Sequence, residues 1–167
     1  MDFIIISEIK SDQFETYKTF FMRGLVEDDE KFRISPNDEI KESFPTLDKE
    51  DSFTLGAFLD GHLAGVVSFE RDGAKREKLR HKGTLFRMLI AKEFRQQGIG
   101  KKLIEEVIRR AKTVSDIEQI NLTVIALNHT AKQLYEKYGF QVFSVEEHAT
   151  KWKEKYFTEE TMVLRLR

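Results

Sequence analysis

The sequence predicts a mixed α/β (α+β) domain: a mostly antiparallel central sheet of about seven strands, flanked by about four helices. Two observations predict it. The early apolar runs are separated by short turn signals, so they pair as hairpins, whereas the later runs are separated by amphipathic segments long enough for helical crossovers. The order that results is β-α-α-β-β-β-α-β-α-β-β. No repeat, low-complexity tract or linker interrupts the 167 residues, so one domain spanning 1–167 is expected.

Residues 3–6 (FIII) form the first strand. Ser11 or Asp12 then caps a helix whose Phe14, Tyr17, Phe21 and Leu25 recur at helical spacing. Ser35-Pro36-Asn37-Asp38 announces the second helix, with a cap, a proline at the first helical position and an acid three residues after the cap. Between the two, VEDDEKF is acidic and aperiodic and reads as a solvated loop. SFTLGAFL, the turn Asp60-Gly61 and LAGVVSFE make a hairpin. A basic stretch, RDGAKREKLRHK, precedes the strand TLFRMLIA.

Leu103, Ile104, Val107, Ile108 and Ala111 make one stripe of the third helix, with Glu105–Arg109 and Glu106–Arg110 as four-residue pairs on its outer side. Gln119 to Leu127 is almost wholly apolar or β-branched, as in a strand covered on both faces. Ala131, Leu134, Tyr135 and Tyr138 share a face of the fourth helix, which Gly139 stops. FQVFSVEE and TMVLRLR are the last two strands.

Composition narrows the function. With 28 Lys and Arg against 29 Asp and Glu, no whole-chain field selects nucleic acid or an anionic membrane. The absence of cysteine removes disulfides, thiolate metal sites and cysteine nucleophiles, and fits a reducing compartment. MDFIIISEIK lacks a basic leader and a span-length apolar run, so a soluble, cytoplasmic protein is expected. His62, His81, His129 and His148 are scattered without ligand spacing, and no metal is expected.

The chemistry concentrates in EFRQQGIGKKLIEEVIRRA, where Gly98 and Gly100 open a helix. Unpaired amides and a partial positive charge make such an opening a seat for phosphate. A nucleotide-hydrolase loop would need glycine where Arg95 stands and Ser or Thr where Lys102 stands. A dinucleotide fingerprint would need glycine at Leu103, and a strand ending at the first glycine. Neither fits. Arg95-Gln96-Gln97-Gly98-Ile99-Gly100 instead resembles the motif of the GNAT superfamily of N-acetyltransferases: Gln or Arg, two variable residues, Gly, one variable residue, then Gly or Ala. MLIAKEFRQQGIGKKLI is similar to that family's strand-loop-helix unit, and NHTAKQLYEKYGF to its second motif. The element order matches the whole fold, the first fifty or so residues in order alone.

The resemblance implies acetyl-coenzyme A as acyl donor. Its pyrophosphate would lie on the amides of Gln97, Gly98, Ile99, Gly100 and Lys101, next to Gln96 and beside the charges of Arg95 and Lys101. Met88, Leu89 and Ile90 would bond the pantetheine arm through their backbone, with Asn128 and Ala131 at the start of the next helix. Asn128 also reads as a helix cap. The implied reaction is direct attack of a primary amine on the thioester. It needs a neutral amine, stabilisation of the oxyanion and a proton for the departing thiolate; an alkylammonium of pKa about 10.4 is mostly the wrong species at neutral pH. Tyr135 matches the tyrosine of LYEKxGF and is the expected general acid, whereas Tyr138 reads as packing. The acid that some members carry about eleven residues before the motif arginine is here Thr84, which cannot act as a base. Glu70 and His81 are the nearest substitutes, with a water relay.

The acceptor would be a small molecule or peptide held by the least motif-like parts: Phe21–Phe32, the loop Arg71–Lys82, and the hairpin around Trp152–Thr158. The acids of VEDDE suit a cationic amine; Trp152, Tyr156 and Phe157 suit an aromatic or apolar one. Two other classes stand beside this one: a non-catalytic acyl-coenzyme A-binding regulatory module, and nucleic-acid binding through AKREKLRHK. Glu77 and the lack of interleaved aromatics weigh against the second, so neither nucleic acid nor membrane is expected as a partner, while a homodimer is kept open.

Overall fold

A computed structural model describes residues 3–73 and 76–167, so Ala74 and Lys75 of the basic stretch lie outside the described residues. It contains one seven-stranded sheet, β1(Ile4–Ile9), β2(Ser52–Leu59), β3(His62–Arg71), β4(Lys82–Ile90), β5(Gln119–Ile125), β6(Gln141–Trp152) and β7(Lys155–Arg165), with α1(Phe14–Glu27), α2(Pro36–Glu39), α3(Ile99–Thr113) and α4(His129–Lys137) packed on its faces. The strand order is β1-β2-β3-β4-β5-β7-β6, antiparallel throughout except for β4 beside β5. The expected mixed sheet and element order are observed.

The sheet divides the core in two. On one face, Leu103, Ile104, Val107 and Ala111 of α3 pack with Leu55, Phe69, Leu85, Ile120, Leu122, Phe140 and Met162. On the other, Tyr17, Phe21 and Leu25 of α1 pack against Val66 and Leu89. Each such buried side chain contributes about 1.5–3 kcal/mol. α1 sits tight on the sheet: a Cβ on Gly24 would come within 2.0 Å of Leu89 Cδ1. That approach holds Phe21 over Arg87 in the middle of β4, and Asp28 beside Lys92 and Arg95 just past its end.

Several expectations change. The 3-10 turn Ser11–Gln13 precedes α1, and Ser11 Oγ donates to Asp48 at 2.6 Å, so neither Ser11 nor Asp12 caps α1. The Ser35 cap is present, accepting from the Asp38 amide at 3.2 Å, but α2 stops after Glu39. Arg109 pairs with Glu106 (2.7 Å) rather than Glu105, whose carboxylate accepts from the Tyr138 hydroxyl at 2.8 Å. β5 is not covered on both faces: Ile120, Leu122 and Val124 are buried, whereas Thr123 is exposed, because α1 and α2 stop short of this half of the sheet. β6 and β7 extend to Trp152 and from Lys155, joined by Lys153 (φ 50°) and Glu154 (φ 64°), a left-handed turn without the glycine that marks Asp60-Gly61.

Candidate active site

β4 and β5 pair only through Lys82, Gly83 and Thr84 against Gln119, Ile120 and Asn121. Beyond those pairs the strands part, and a cleft of about 850 Å³ opens between Leu85–Ile90 and Leu122–Ile125, roofed by α1 on one side and α4 on the other. This splay has no sequence signature.

A bulge in β4 sets what enters the cleft. Val66 pairs with Leu89 but Ser68 with Phe86, so Arg87 and Met88 together oppose one residue of β3, and Arg87 takes φ 54°. Met88 turns toward α4, where its sulfur accepts from Tyr135 Oη at 3.7 Å. Arg87 turns toward α1. Its guanidinium stacks over Phe21, 4.8 Å from the ring centroid, donates to one oxygen of buried Glu39 at 2.9 Å and pairs with the other at 2.8 Å. Burial raises the Tyr17 hydroxyl beside this pair to about 12, against the lowering pull of Arg87.

The mouth of α3 borders one end of the cleft. Gly98 caps it at φ 82°, with no side-chain cap and no acid in the first turn, after Gln96 at φ 64°. The first bond back into the helix is Lys102 N to Gly98 O, which leaves the amides of Ile99, Gly100 and Lys101 without helical acceptors. A Cβ on Gly100 would meet Leu134 at 2.9 Å and Met88 at 3.1 Å, so helix, strand and α4 close together at that residue. This arrangement fits an anion such as pyrophosphate, because the donors converge and no side chain occupies their place. Lys101 lines the cleft, while Arg95 donates through Nε to the Ile90 carbonyl (3.1 Å) and pairs with Asp28 at 2.5 Å.

Asn128 and Ala131 also line the cleft, and Asn128 accepts from the Ala131 amide at 3.4 Å, as a cap does. Tyr135 is 6% exposed, its ring edge-on to Phe140 and its hydroxyl toward Met88. Burial raises its pKa well above the ordinary phenol value, so it stays protonated at neutral pH.

The acidic run is not a solvated loop. Asp28 holds Arg95; Asp29 accepts from Trp152 Nε1 and Lys153, both at 2.8 Å; Glu30 meets Lys155 at 3.5 Å. Residues 28–33 thus form a strap from the α3 loop to the β6–β7 hairpin, because each acid faces a cation that the sheet brings opposite. Of the expected acceptor segments, Phe21, Asp28, Lys31 and Phe32 line the cleft; the described part of Arg71–Lys82 does not, and Trp152 and Phe157 line a separate cavity of about 220 Å³. Arg71 is instead buried in pairs with Asp51 (2.7 Å) and Asp116 (2.9 Å).

Neither Glu70 nor His81 lines the cleft. Glu70 does stand directly across the β3–β4 ladder from Thr84, which lines it. Burial, with the charges of Asp72 and Asp51, raises the Glu70 carboxyl despite its Ser52 contact at 3.5 Å. His81 meets Glu118 and Gln119 only through its backbone carbonyl among the contacts described. Arg87, Arg33 and Ile34 line the cleft without a sequence signal; the first, with its partner Glu39, depends on a bulge that β-branched patterning does not announce. Among the described residues no group of three or more His, Asp or Glu could hold a metal ion, and no helix is long and apolar enough to cross a membrane.

Comparison with known proteins agrees with this geometry. The chain superposes on an acetyltransferase of the GNAT family from Streptococcus pneumoniae with a TM-score of 0.81 and 27% identity, covering 98% of this chain and 99% of that one. An N-acetyltransferase from Staphylococcus aureus Mu50 gives 0.82 at 13% identity, with 99% of both chains covered. The yncA protein of Salmonella typhimurium, solved with its cofactor acetyl-CoA, gives 0.80 at 13% identity, covering 99% of this chain and 95% of that one. No curated protein sequence matches the chain. The sequence description of the acetyltransferase (GNAT) family matches residues 9–140, and with the splayed sheet and the open helix mouth this makes the chain a member of the GNAT family of acetyltransferases.

Proposed function

We propose that the chain, as one N-acetyltransferase domain over 1–167, moves an acetyl group from acetyl-coenzyme A to a primary amine of a small molecule or peptide. The observation that carries this reading is one cleft that holds an uncapped helix mouth, a parted pair of strands and a buried phenol. The donor, when bound, supplies an activated thioester. Ile99, Gly100 and Lys101 would hold its pyrophosphate through their amides, with Gln96, Gln97 and Gly98 shaping the turn. Met88, Leu89 and Ile90 would bond its pantetheine arm through backbone left free by the splay.

Tyr135 acts as general acid. Burial keeps the phenol in its protonated form, and its O–H would donate to the sulfur as the C–S bond breaks and negative charge builds there. Glu70 is the better placed of the two base candidates: across from Thr84, with a raised pKa, it would draw the ammonium proton through water, passing the Thr84 hydroxyl, which itself donates to Asp72 at 2.6 Å. His81 has no comparable link to the cleft.

Titration of purified protein with acetyl-coenzyme A, followed by heat and by melting temperature, tests the donor site. At about a hundred times its Kd the ligand should stabilise the fold by roughly 2.7 kcal/mol. Thiol release with an amine panel then separates catalysis from binding. Binding without turnover of any amine would leave the regulatory-module reading in its place.

A further inference from the structure

Two buried glutamates face the α1 side of the sheet, and they are paired in opposite ways. Glu39 accepts a hydrogen bond from Arg87 at one oxygen and meets the same guanidinium as an ion pair at the other, and the Arg87 side chain is itself only 15% exposed, so both members are enclosed. Glu159 on β7 is as deeply buried, at 6% of its side chain, but its partner Arg33 is 65% exposed and reaches it through one contact of 2.6 Å. Taking Arg33 away costs little for the arginine, which is already in water. It costs much for Glu159, because an unpaired buried carboxylate loses several kcal/mol of hydration. Glu146 stands directly across the β6–β7 ladder from Glu159 and deepens the negative field.

The position is as telling as the asymmetry. Glu159 pairs across the β5–β7 ladder with Ile125, which lines the large cleft, while Arg33 lines both that cleft and the smaller cavity beside Phe157. Phe32 and Ile34 border both spaces and offer apolar walls for an alkyl chain. From this we infer that Glu159 is the specificity carboxylate of the acceptor site, that Arg33 is a plug standing in for a substrate cation, and that the acceptor is an alkyl amine with a second positive charge. One amine would attack the thioester while the other replaces the guanidinium at Glu159. This rests on the acetyltransferase reading above.

The test compares butylamine, 1,4-diaminobutane and 4-aminobutanoate at saturating acetyl-coenzyme A, by thiol release, in the wild type, Glu159→Gln and Arg33→Gln. Expected is a kcat/KM for the diamine at least tenfold above butylamine, with the aminobutanoate below both. Glu159→Gln should cut the diamine-to-butylamine ratio at least tenfold, and Arg33→Gln should raise it, through a lower diamine KM. A role for Arg33 only in anchoring the strap predicts instead that Arg33→Gln slows all three amines alike, and that result overturns the proposal. So does preference for the aminobutanoate. Should Glu159→Gln fail to fold, the direction of the Arg33→Gln change decides alone. Turnover with an unmoved ratio, or donor binding without turnover of any of the three, overturns this inference; the acetyltransferase reading then stands or falls on the wider amine panel.

Discussion

The two halves of the cleft are built in different ways. The half proposed for the donor comes from two contiguous stretches, β4 through the mouth of α3 and the start of α4, and its geometry is set by local backbone: a left-handed Gly98, an uncapped first turn, Gly100 against Met88 and Leu134. The half proposed for the acceptor is bordered by α1, residues 28–34 and β4, and the elements around it are held by charges meeting across long sequence separations, Glu39 with Arg87, Asp28 with Arg95 and Arg33 with Glu159. A site made of local backbone tolerates change elsewhere in the chain; one made of distant pairs fails or retunes when a single partner is lost.

The sharpest way to break the comparison is chemical. Tyr135→Phe should lower kcat by about 10²–10⁴-fold. Calorimetry should find its acetyl-coenzyme A affinity little changed, since the helix mouth is untouched. Next in size, Glu39→Ala leaves Arg87 buried without its partner and should cost about 3–5 kcal/mol of stability. Urea unfolding reads this as a lowered midpoint at unchanged slope. By contrast Glu106→Ala, which removes a half-exposed carboxylate shared by Arg109 and Arg110 on one helix, should cost about 1 kcal/mol. Gly98→Ala forces a side chain into left-handed backbone, costs about 1–2 kcal/mol, and should weaken acetyl-coenzyme A binding in the same calorimetric assay.

The smallest effect is a pH dependence in the strap. Hydrogen bonds from Lys153 and Trp152 hold the Asp29 carboxyl below its ordinary value. A lowered folded pKa contributes stability above the unfolded pKa, about 3.9, and loses it as pH falls through the folded one. Emission of Trp152, the one tryptophan, should therefore stay constant from pH 7 down to about 4 and change only below it. In Asp29→Asn that acid transition should vanish, which steady-state fluorescence would show.

Legibility in the sequence follows the same division. The helix mouth could be read because phosphate seating depends on which residues lack side chains and caps, and those are adjacent letters. The helix and its stop gave only the shared face of Tyr135 and Tyr138, whereas bringing Tyr135 and Asn128 to the cleft rested on the resemblance of NHTAKQLYEKYGF to the family's second motif. Arg87 could not be found: within TLFRMLIA it looks like the polar member of an alternating strand, and only the bulge opposite Val66–Ser68 turns it inward. The acids of VEDDE were visible, but not the cations that Trp152–Lys155 would bring to them, because the turn at Lys153-Glu154 carries no glycine or asparagine signal. Thr123 looked like the interior of a doubly covered strand for the same reason, since which face a helix covers is decided by a distant segment.

The parting of β4 from β5 also has a bearing on how this protein keeps in solution. A sheet normally exposes its unpaired backbone only at its outer borders, where β1 and β6 lie here. By opening its middle, this fold creates a second set of borders along Leu85–Ile90 and Leu122–Ile125, and apolar side chains flank them. Such borders are templates for foreign strands and for aggregation. Asp28, Lys31 and Arg33 of the strap line the slot and set charge beside those borders, a feature that opposes strand addition, and a bound donor arm would pair where no protein strand does.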